Sequence, residues 1–320
     1  MVNKLTVVGD PHAKPNNLDQ IRELFALIEE LGNTTVILGD LLDTKEVIRG
    51  KCLNTYIELF NKSSLDFIVL VGNHDWFNLD CKEHALEAFK TLPNVKVIEE
   101  LTELHGCYFA PYMTTIPGGG VGNLKGIPFF GHLDIPGFDY GHGHISDHGI
   151  CKSQFKKFPI TISGHYHKYQ EFKKDENGHI VYLGTPFSHS FGESNQKKYL
   201  GVFDLKTHEL ELVETHFPKH VTLELGANED WEERLKEYDT SKDHLRIVLD
   251  GSKEALLTVD TTPYPEVKFI LKPEKQVAST KTLVTQNPTD QFRSWAKTRG
   301  NLSKEVIDIG IEVLNKCLRK

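Results

Sequence analysis

The stretch LTVVGDPH (residues 5–12) places a carboxylate and an imidazole directly after a run of residues that predicts a buried strand. Continuous apolar runs of this kind are typical of strands that are covered on both faces of a parallel sheet. Asp10 and His12 either end the strand at the surface or are held at its end to bind a ligand. The residues that follow the other predicted strands decide between these two interpretations.

The same arrangement recurs after further predicted strands. The runs TTVIL (34–38), DFIVLV (66–71), IPFF (127–130) and PITIS (159–163) lead into Gly-Asp, Gly-Asn-His-Asp, Gly-His and Gly-His-Tyr-His. In open α/β sheets, the loops after the carboxyl ends of the strands converge on one crevice. Strand ends that offer oxygen and imidazole donors without a thiolate are typical of a binuclear site for Mn²⁺-like cations, not of structural zinc. We therefore predict a metal site at this edge.

Strands and helices alternate along the first hundred residues. Helices are predicted over 18–31, 46–62 and 82–91, and a further strand over 95–98. This alternation predicts a mostly parallel sheet that is covered on both faces. After residue 100 the predicted strands follow one another closely, which indicates a second sheet packed against the first. We therefore expect residues 1–205 to form a layered α/β sandwich.

The pattern changes after residue 205. Residues 206–272 predict a small α+β module, 273–288 a linker, and 289–320 a helical segment. The apolar positions of this last segment include Phe292, Trp295, Val306, Ile309, Val313 and Leu314. Because isolated helices need a partner surface, the segment either docks on another protein or folds back on the α+β module.

Composition excludes several classes of protein. The chain has 320 residues and a net charge of −8, which argues against a uniformly basic surface that coats nucleic acid. Residues 268–320 are nevertheless basic, with 11 Lys and Arg against 5 Asp and Glu. The 5 cysteines form no CxxC pair, which is typical of reduced thiols in the cytoplasm. No apolar run reaches the roughly 18–20 residues of a membrane helix, and no secretory signal is visible, so we expect no membrane partner.

The ordered motifs D-x-H, G-D-x-x-D, G-N-H-D, G-H and G-H-x-H, over residues 9–167, are similar to the signature of the calcineurin-like metallophosphoesterases. The resemblance implies a four-layer α/β sandwich, with two mixed sheets flanked by helices. It implies metal ligands at seven positions: Asp10, His12 and His167 for one ion, Asn73, His132 and His165 for the other, and Asp40 as the bridge. It also makes His74 the catalytic histidine, and Asp75 either orients His74 or forms a salt bridge at the strand end.

Two G-H-x-H runs compete for the last motif. Residues 141–144 follow no predicted strand, whereas residues 164–167 directly follow the strand PITIS. Because ligands need a rigid platform, we predict that the second run supplies the ligands. His142, His144 and His148 are then placed in a long loop beside the site, either exposed or in contact with substrate.

The stretch YLGTPFSHSFGE (182–193) is similar to a segment of the SbcD branch, the nuclease subunits of the Mre–Rad type DNA-repair complexes. This resemblance implies a DNA nuclease that uses two Mn²⁺, or Mg²⁺, to trim duplex ends and cut single strands. It implies a homodimer within a heterotetramer with an SbcC/Rad-type ATPase, acting in DNA repair, recombination or replication. Residues 206–272 would be a DNA-capping domain and residues 289–320 the segment that docks on the ATPase. The chain is short for a bacterial member of this branch and closer in length to phage-encoded members, so the resemblance implies the cytoplasm, which is that of the host if the protein is phage-encoded.

The loop over residues 190–199 contains the candidate DNA contacts, with a solvated surface turn as the alternative. These candidates are Ser190, Asn195, Lys197 and Lys198. Two other functions stay open: a small-molecule or protein phosphoesterase of the same fold, and a scaffold that has lost its metals. Against the first, Thr44-Lys45 and Asp75 stand where protein phosphatases usually carry Arg-Gly and Glu. Against the second, all seven ligand positions are filled.

Overall fold

The computed structural model describes residues 2–45, 47–78, 81–114, 124–175, 178–274, 288–298 and 302–317. The chain divides into two compact units, Met1–Lys272 and Pro273–Lys320. The first unit contains, in chain order, β1 (Lys4–Val8), α1 (Leu18–Leu31), β2 (Thr34–Ile37), α2 (Gly50–Lys62), β3 (Phe67–Leu70), β4 (Val95–Ile98), β5 (Thr102–Leu104), β6 (Cys107–Ala110), β7 (Phe129–His132), β8 (Asp139–Gly141), β9 (His144–Ile145), β10 (Thr161–Gly164), β11 (Gln170–Asp175), β12 (Gly178–Tyr182), β13 (Tyr199–Asp204), β14 (Leu210–Glu214), β15 (His220–Gly226), α3 (Trp231–Leu235), β16 (His244–Gly251), α4 (Lys253–Leu257) and β17 (Lys268–Pro273). The second contains α5 (Pro288–Thr298) and α6 (Lys304–Cys317).

The first sheet carries three of the ligand-bearing loops. Its strand order, in the part of the chain that the structure describes, is β14-β13-β1-β2-β3-β4. The strands β1 to β4 run parallel, so β1, β2 and β3 end at the same edge. Helices α1 and α2 cover one face of this sheet, where Ile21, Phe25 and Phe60 pack on Val8 and Ile37.

The second sheet packs on the opposite face of the first. Its strand order among the described residues is β11-β12-β10-β7-β6-β5, and the neighbours β6, β7, β10 and β12 are parallel. Phe109, Phe130 and Ile162 face the first sheet across a shared core. The outer face, which carries Phe129 and Tyr182, is covered by loops and a short 3-10 helix, Lys152–Phe155. The predicted α/β sandwich is confirmed.

Beyond the sandwich, β15, β16 and β17 form a separate sheet. The strands β15 and β16 are parallel and α3 lies between them in sequence, so they form a β-α-β unit with its own core around Trp231 and Ile247. The first sheet, however, extends to Glu214, so the predicted boundary at residue 205 falls in the turn between β13 and β14. Most of the predicted linker, residues 275–287, lies outside the described residues. The proposed division into domains stays a prediction.

Two predicted helices differ in the structure. The helix expected over 82–91 is wrong, because residues 83–85 pair with the strand-end loop instead. The Phe77 amide donates to the Glu83 carbonyl (3.0 Å) and the Ala85 amide to the Asp75 carbonyl (2.8 Å), which leaves only a 3-10 helix at Glu87–Thr91. The helix expected from residue 46 begins at Gly50. None of the described helices is both long and apolar enough to span a membrane.

Candidate metal centre

The structure brings together every residue that the sequence placed at the ends of the parallel strands. Asp10 and His12 follow β1, Asp40 follows β2, Asn73 and His74 follow β3, His132 ends β7, and His165 and His167 follow β10. The loops are tied to each other directly, since the His12 amide donates to the Asp40 carbonyl (2.9 Å). The site therefore lies at the edge where both sheets end.

Glycines allow this close approach. A Cβ on Gly72 would lie 2.2 Å from Asp40 Oδ1, and a Cβ on Gly164 would lie 2.3 Å from Asp10 Oδ1. Any side chain at either position would displace a carboxylate. The glycines of the Gly-Asn-His-Asp and Gly-His-Tyr-His motifs are therefore required by packing against the ligands themselves.

One group of potential ligands consists of Asp10, His12 and His167, whose ligand atoms all lie within 4.8 Å of one another. The Nε2 atoms of His12 and His167 are 3.1 Å apart. Asp10 Oδ2 accepts a hydrogen bond from the His165 amide (2.7 Å), but Asp10 Oδ1 is buried with no hydrogen-bond partner among the described residues. A buried carboxylate oxygen without a donor is costly, and a cation at this position removes that cost.

A second group forms around Asn73, whose Oδ1 lies 2.8 Å from His132 Nε2 and 2.8 Å from His165 Nδ1. His132 donates its Nδ1–H to the Leu38 carbonyl (2.8 Å), so its Nε2 presents a lone pair to the Asn73 oxygen. Burial lowers the pKa of both histidines to about 3, which keeps them neutral. Two lone pairs that face each other at this distance fit a shared cation.

Asp40 lies between the two groups. Its Oδ2 is 3.5 Å from His12 Nε2 and 3.5 Å from His132 Nε2, while its Oδ1 accepts a hydrogen bond from the His74 amide (2.7 Å). The backbone is left-handed at Asp40 (φ 50°), at His12 (φ 42°) and at His165 (φ 92°), a conformation that costs free energy in non-glycine residues. The fold holds these side chains in position despite that cost.

The charge of the site calls for cations. Asp10, Asp40 and Asp75 are all buried, and burial raises the pKa of each carboxyl, with mutual repulsion adding to the rise at Asp10 and Asp75. For Asp75 the pKa rises to about 8. Ionising this cluster therefore requires nearby positive charge. Oxygen and imidazole donors without thiolate suit divalent cations such as Mn²⁺ or Mg²⁺, so the residues present fit a two-metal centre.

His74 lies at the edge of this centre. Its ring is 4.8 Å from that of His12, and its Nδ1–H donates to the Asp43 carbonyl (2.8 Å), which leaves Nε2 for another partner.

Asp75 has different neighbours from those the sequence suggested. Its carboxylate accepts from the amides of Gly72 (2.9 Å), Leu42 (3.1 Å) and Leu41 (3.3 Å), so it braces two ligand loops and does not orient the His74 ring.

The predicted DNA contacts are engaged within the protein. Lys198 is 7% exposed and its Nζ donates to Glu193 Oε2 (2.6 Å), Thr185 Oγ1 (2.7 Å) and the His167 carbonyl (3.0 Å). Lys198 is therefore too buried to contact a substrate. Asn195 pairs with the backbone of Thr222, and exposed Lys197 pairs with Glu214 (2.8 Å). Ser190 caps the short 3-10 helix Phe191–Glu193 by accepting from the Gly192 amide.

Sequence reasoning missed Glu193. Its Oε1 accepts a hydrogen bond from His167 Nδ1 (3.0 Å), which turns His167 Nε2 toward His12. A carboxylate that orients a histidine in this way also makes the imidazole a better metal ligand. The available signal was the stretch SFGE, which marked a family resemblance without indicating a contact. Sequence reasoning also gave His189 no role, although its ring lies 5.3 Å from that of His12.

Another cluster, His84, Glu87 and Glu99, has the composition of a metal site. Here a lysine already supplies the positive charge, because Lys90 Nζ contacts Glu99 (2.6 Å) and Glu87 (2.8 Å). His84 Nδ1 accepts from the Leu86 amide (3.1 Å), so its Nε2–H donates to Glu99. These groups satisfy one another, unlike those at the strand ends.

Comparisons with known proteins agree with this geometry. A family model described as calcineurin-like phosphoesterase matches residues 4–239. The chain is 30% identical over 222 residues to the putative phosphoesterase 244L of invertebrate iridescent virus 6, covering 62% of this chain and 74% of that protein. It is 25% identical over 219 residues to exonuclease subunit 1 of Enterobacteria phage T4, covering 63% of this chain but only 62%, less than two thirds, of the phage protein.

Solved structures also resemble the chain at low identity. One is TT1561 of Thermus thermophilus, with 14% identity and a TM-score of 0.41, covering 67% of this chain and 99% of that one. Another is described as a novel archaeal phosphodiesterase, with 16% identity and a TM-score of 0.36, covering 66% of this chain and 99% of that one.

Proposed function

The chain belongs to the calcineurin-like phosphoesterase family, and from this premise we propose that it is a Mn²⁺-dependent DNA nuclease that hydrolyses phosphodiester bonds at a two-metal centre. It would trim duplex ends and cut single strands. The observation that carries the proposal is the convergence of seven ligand side chains on one point, with His74 beside them. Asp10 Oδ1 and the facing lone pairs of Asn73 and His132 lie where cations would satisfy them.

Bound divalent cations supply Lewis acidity and neutralise the charge of the phosphate. The residues of the chain do the rest. Asp40 would bridge the two metal positions, since its Oδ2 is equidistant from His12 Nε2 and His132 Nε2. Imidazole ligands would hold the cations without cancelling their charge, as further carboxylates would. His74, whose Nδ1 is fixed by the Asp43 carbonyl, would use its Nε2 to donate a proton to the leaving oxygen of the phosphate.

The choice of DNA as substrate is supported by similarity. The phage T4 relative is named as an exonuclease subunit, and the stretch GTPFSHSFGE resembles the SbcD nuclease branch. In this proposal the sheet β15-β16-β17 and its helices cap the DNA, and the protein acts in the cytoplasm of a host cell, because the two relatives described above are viral proteins. The acidic chain would hold DNA through local patches and the metals.

We also propose a partner. The word "subunit" in the name of the phage relative describes a protein that works with another, and the SbcD resemblance implies an SbcC/Rad-type ATPase. The unit Pro273–Lys320 would dock on that ATPase, within a heterotetramer that contains a homodimer of this chain. Its exposed apolar side chains Trp295, Ile309 and Val313 support a docking role.

The deciding experiment offers the full chain two substrates with Mn²⁺, with Mg²⁺ or with EDTA. One is end-labelled linear duplex DNA and the other is bis(4-nitrophenyl) phosphate. We expect Mn²⁺-dependent shortening of the DNA and loss of both activities in EDTA. Hydrolysis of the small diester without cleavage of DNA would overturn the nuclease and favour a small-molecule phosphoesterase, the activity after which the iridescent virus relative is named. Failure on both substrates would favour the scaffold.

A further inference from the structure

A cavity of about 190 Å³ opens beside the candidate ligands His165 and His167. One wall comes from the hairpin of β8 and β9, with Tyr140 and His142, and the opposite wall from the loop around Ser190. A group bound here would lie directly next to the metal positions. The cavity includes part of the Gly-His-Gly-His run (141–144), the motif that the metal centre does not use.

The hairpin is held rigidly at its base. Gln170 donates from Nε2 to the Asp139 carbonyl (2.7 Å), and its Oε1 accepts from the Asp139 amide (2.7 Å). Asp139 Oδ1 accepts from the amides of Gly141 (2.9 Å) and Gly143 (3.1 Å), which fixes the turn. Such a wall is formed before a ligand arrives, so binding does not need to order it.

The tip of the hairpin meets the opposite wall. A Cβ on Gly192 would lie 3.0 Å from His142 Cε1, so the imidazole packs against this glycine. His142 itself has a left-handed backbone (φ 54°). The contact places His142, which is not one of the candidate metal ligands, between the hairpin and the loop around Ser190.

The side chains of this cavity suit a nucleotide. Tyr140 is 53% exposed and stacks on His144 with ring centroids 5.9 Å apart and a 26° angle between the planes. Exposed aromatic rings of this kind are the platforms on which single-stranded bases stack. The two carboxylates beside the cavity are already paired, Asp139 with Lys168 (3.2 Å) and Glu193 with Lys198 (2.6 Å), so they do not repel a phosphate.

We propose that this cavity binds the nucleotide that flanks the scissile phosphate of a single-stranded DNA end. The base stacks on the platform of Tyr140 and His144, and His142 contacts the sugar-phosphate backbone. The inference rests on the proposed nuclease function and adds the residues that would place the strand in the metal centre. It gives the unused Gly-His-Gly-His run a role in binding.

The test compares Tyr140→Ala with Tyr140→Phe in the full chain, on a short single-stranded oligonucleotide and on bis(4-nitrophenyl) phosphate. Since stacking contributes about 1–3 kcal/mol per base, Tyr140→Ala should raise the KM for the oligonucleotide by about 5- to 150-fold more than the KM for the small diester. Tyr140→Phe keeps the ring and should behave as wild type. Leu257→Ala, an exposed apolar change on α4, serves as the control for nonspecific surface effects.

A second measurement replaces single nucleotides of the oligonucleotide, one at a time, with an abasic residue. At one position next to the cleaved bond, the abasic residue should raise the KM of the wild-type protein by the same factor as Tyr140→Ala does. It should not raise the KM of Tyr140→Ala any further. Equal effects of Tyr140→Ala on both substrates, or full additivity with the abasic residue, would overturn the nucleotide site while leaving the nuclease intact. If wild type cleaves only the small diester, the proposed function fails first.

Discussion

Asp40 presents a single carboxylate oxygen at 3.5 Å from an imidazole nitrogen of each ligand group. Replacing Asp40 by asparagine removes the negative charge of the side chain but keeps its shape, so this change tests the proposed bridging role alone. Asp40→Asn should abolish phosphodiester cleavage and lower the amount of Mn²⁺ bound, because an amide bridges two cations poorly. The fold should survive, which circular dichroism and thermal melting can check. Asp19→Asn, a 96% exposed change on α1, is the matched control. Near-wild-type cleavage by Asp40→Asn would contradict the two-metal assignment.

His74 differs from the ligands in its proposed task. The hydrogen bond to the Asp43 carbonyl holds its ring beside the metal centre. We propose that His74 acts on the phosphate and does not bind a metal. His74→Ala should therefore slow turnover by roughly 10²–10⁴-fold, the usual range for a positioned acid, with the metal content retained. Metal analysis of the purified variant, beside its kinetics, makes the distinction. Loss of Mn²⁺ together with activity would make His74 a ligand.

Glu193 connects a buried ion pair to the metal centre, because it accepts from His167 and from Lys198. Glu193→Gln should weaken metal binding by about 10- to 100-fold, the usual effect of losing the carboxylate behind a ligand histidine. It should also cost about 3–5 kcal/mol of stability, since it leaves Lys198 buried without a counter-charge.

The double variant Glu193→Gln/Lys198→Met separates these two effects. Removing the buried cation should restore much of the stability lost in Glu193→Gln, while metal affinity stays low. Chemical denaturation measures the first quantity and calorimetric titration with Mn²⁺ the second. If metal affinity recovers together with stability, Glu193 acts only through the fold.

At the scale of the elements, the glycine that ends β10 ties strand packing to the metal centre. Gly164→Ala would place a Cβ 2.3 Å from Asp10 Oδ1 and 3.0 Å from the Leu38 carbonyl. The strand end must then move, and a displacement of about 1 Å at a reactive site can cost on the order of 10²-fold in rate. We expect that loss in turnover, with weaker metal binding. Gly50→Ala, where nothing lies within 4 Å, is the matched control and should be neutral. Equal activities of the two variants would show that the site tolerates the shift.

The sequence predicted these strand ends well because each carries a local signal. A continuous apolar run, a glycine and a polar donor all belong to neighbouring positions, and parallel strands must end at one edge. The helix over 82–91 failed for the opposite reason. Its apolar spacing was local, but the backbone of residues 83–85 found partners at 75–77 through tertiary contacts. Periodicity carries no information on such pairing.

The same limit explains the side chains that were misjudged. Lys198 stands in a polar stretch that resembles a surface turn, and only the tertiary approach of Glu193 and Thr185 buries it. Asp75 follows His74 in sequence, which suggested that it orients the ring, yet its carboxylate turns to the amides of Leu41 and Leu42. Adjacency in sequence is a poor guide to which group a side chain contacts.

At the scale of the whole molecule, the chain divides after residue 272. In the second unit, α5 and α6 pack on each other closely, since a Cβ on Gly310 would lie 2.4 Å from the Phe292 ring. Val306, Ile309 and Val313 lie at helical spacing on α6 and are 49%, 61% and 54% exposed. An exposed apolar stripe on a short helical unit is typical of a docking element.

Truncation before Asn287 tests that role. Because every proposed metal ligand lies within Met1–Lys272, the truncated protein should stay folded and retain Mn²⁺-dependent cleavage of short DNA. It should lose co-purification with an ATPase subunit of the SbcC/Rad type, and with it any stimulation of processive degradation by ATP. A triple change of Val306, Ile309 and Val313 to Ser, with the chain otherwise complete, should reproduce the loss of binding without removing the unit. A truncated protein that still binds the ATPase would contradict the docking role. One that unfolds would show that the helices belong to the core of the protein.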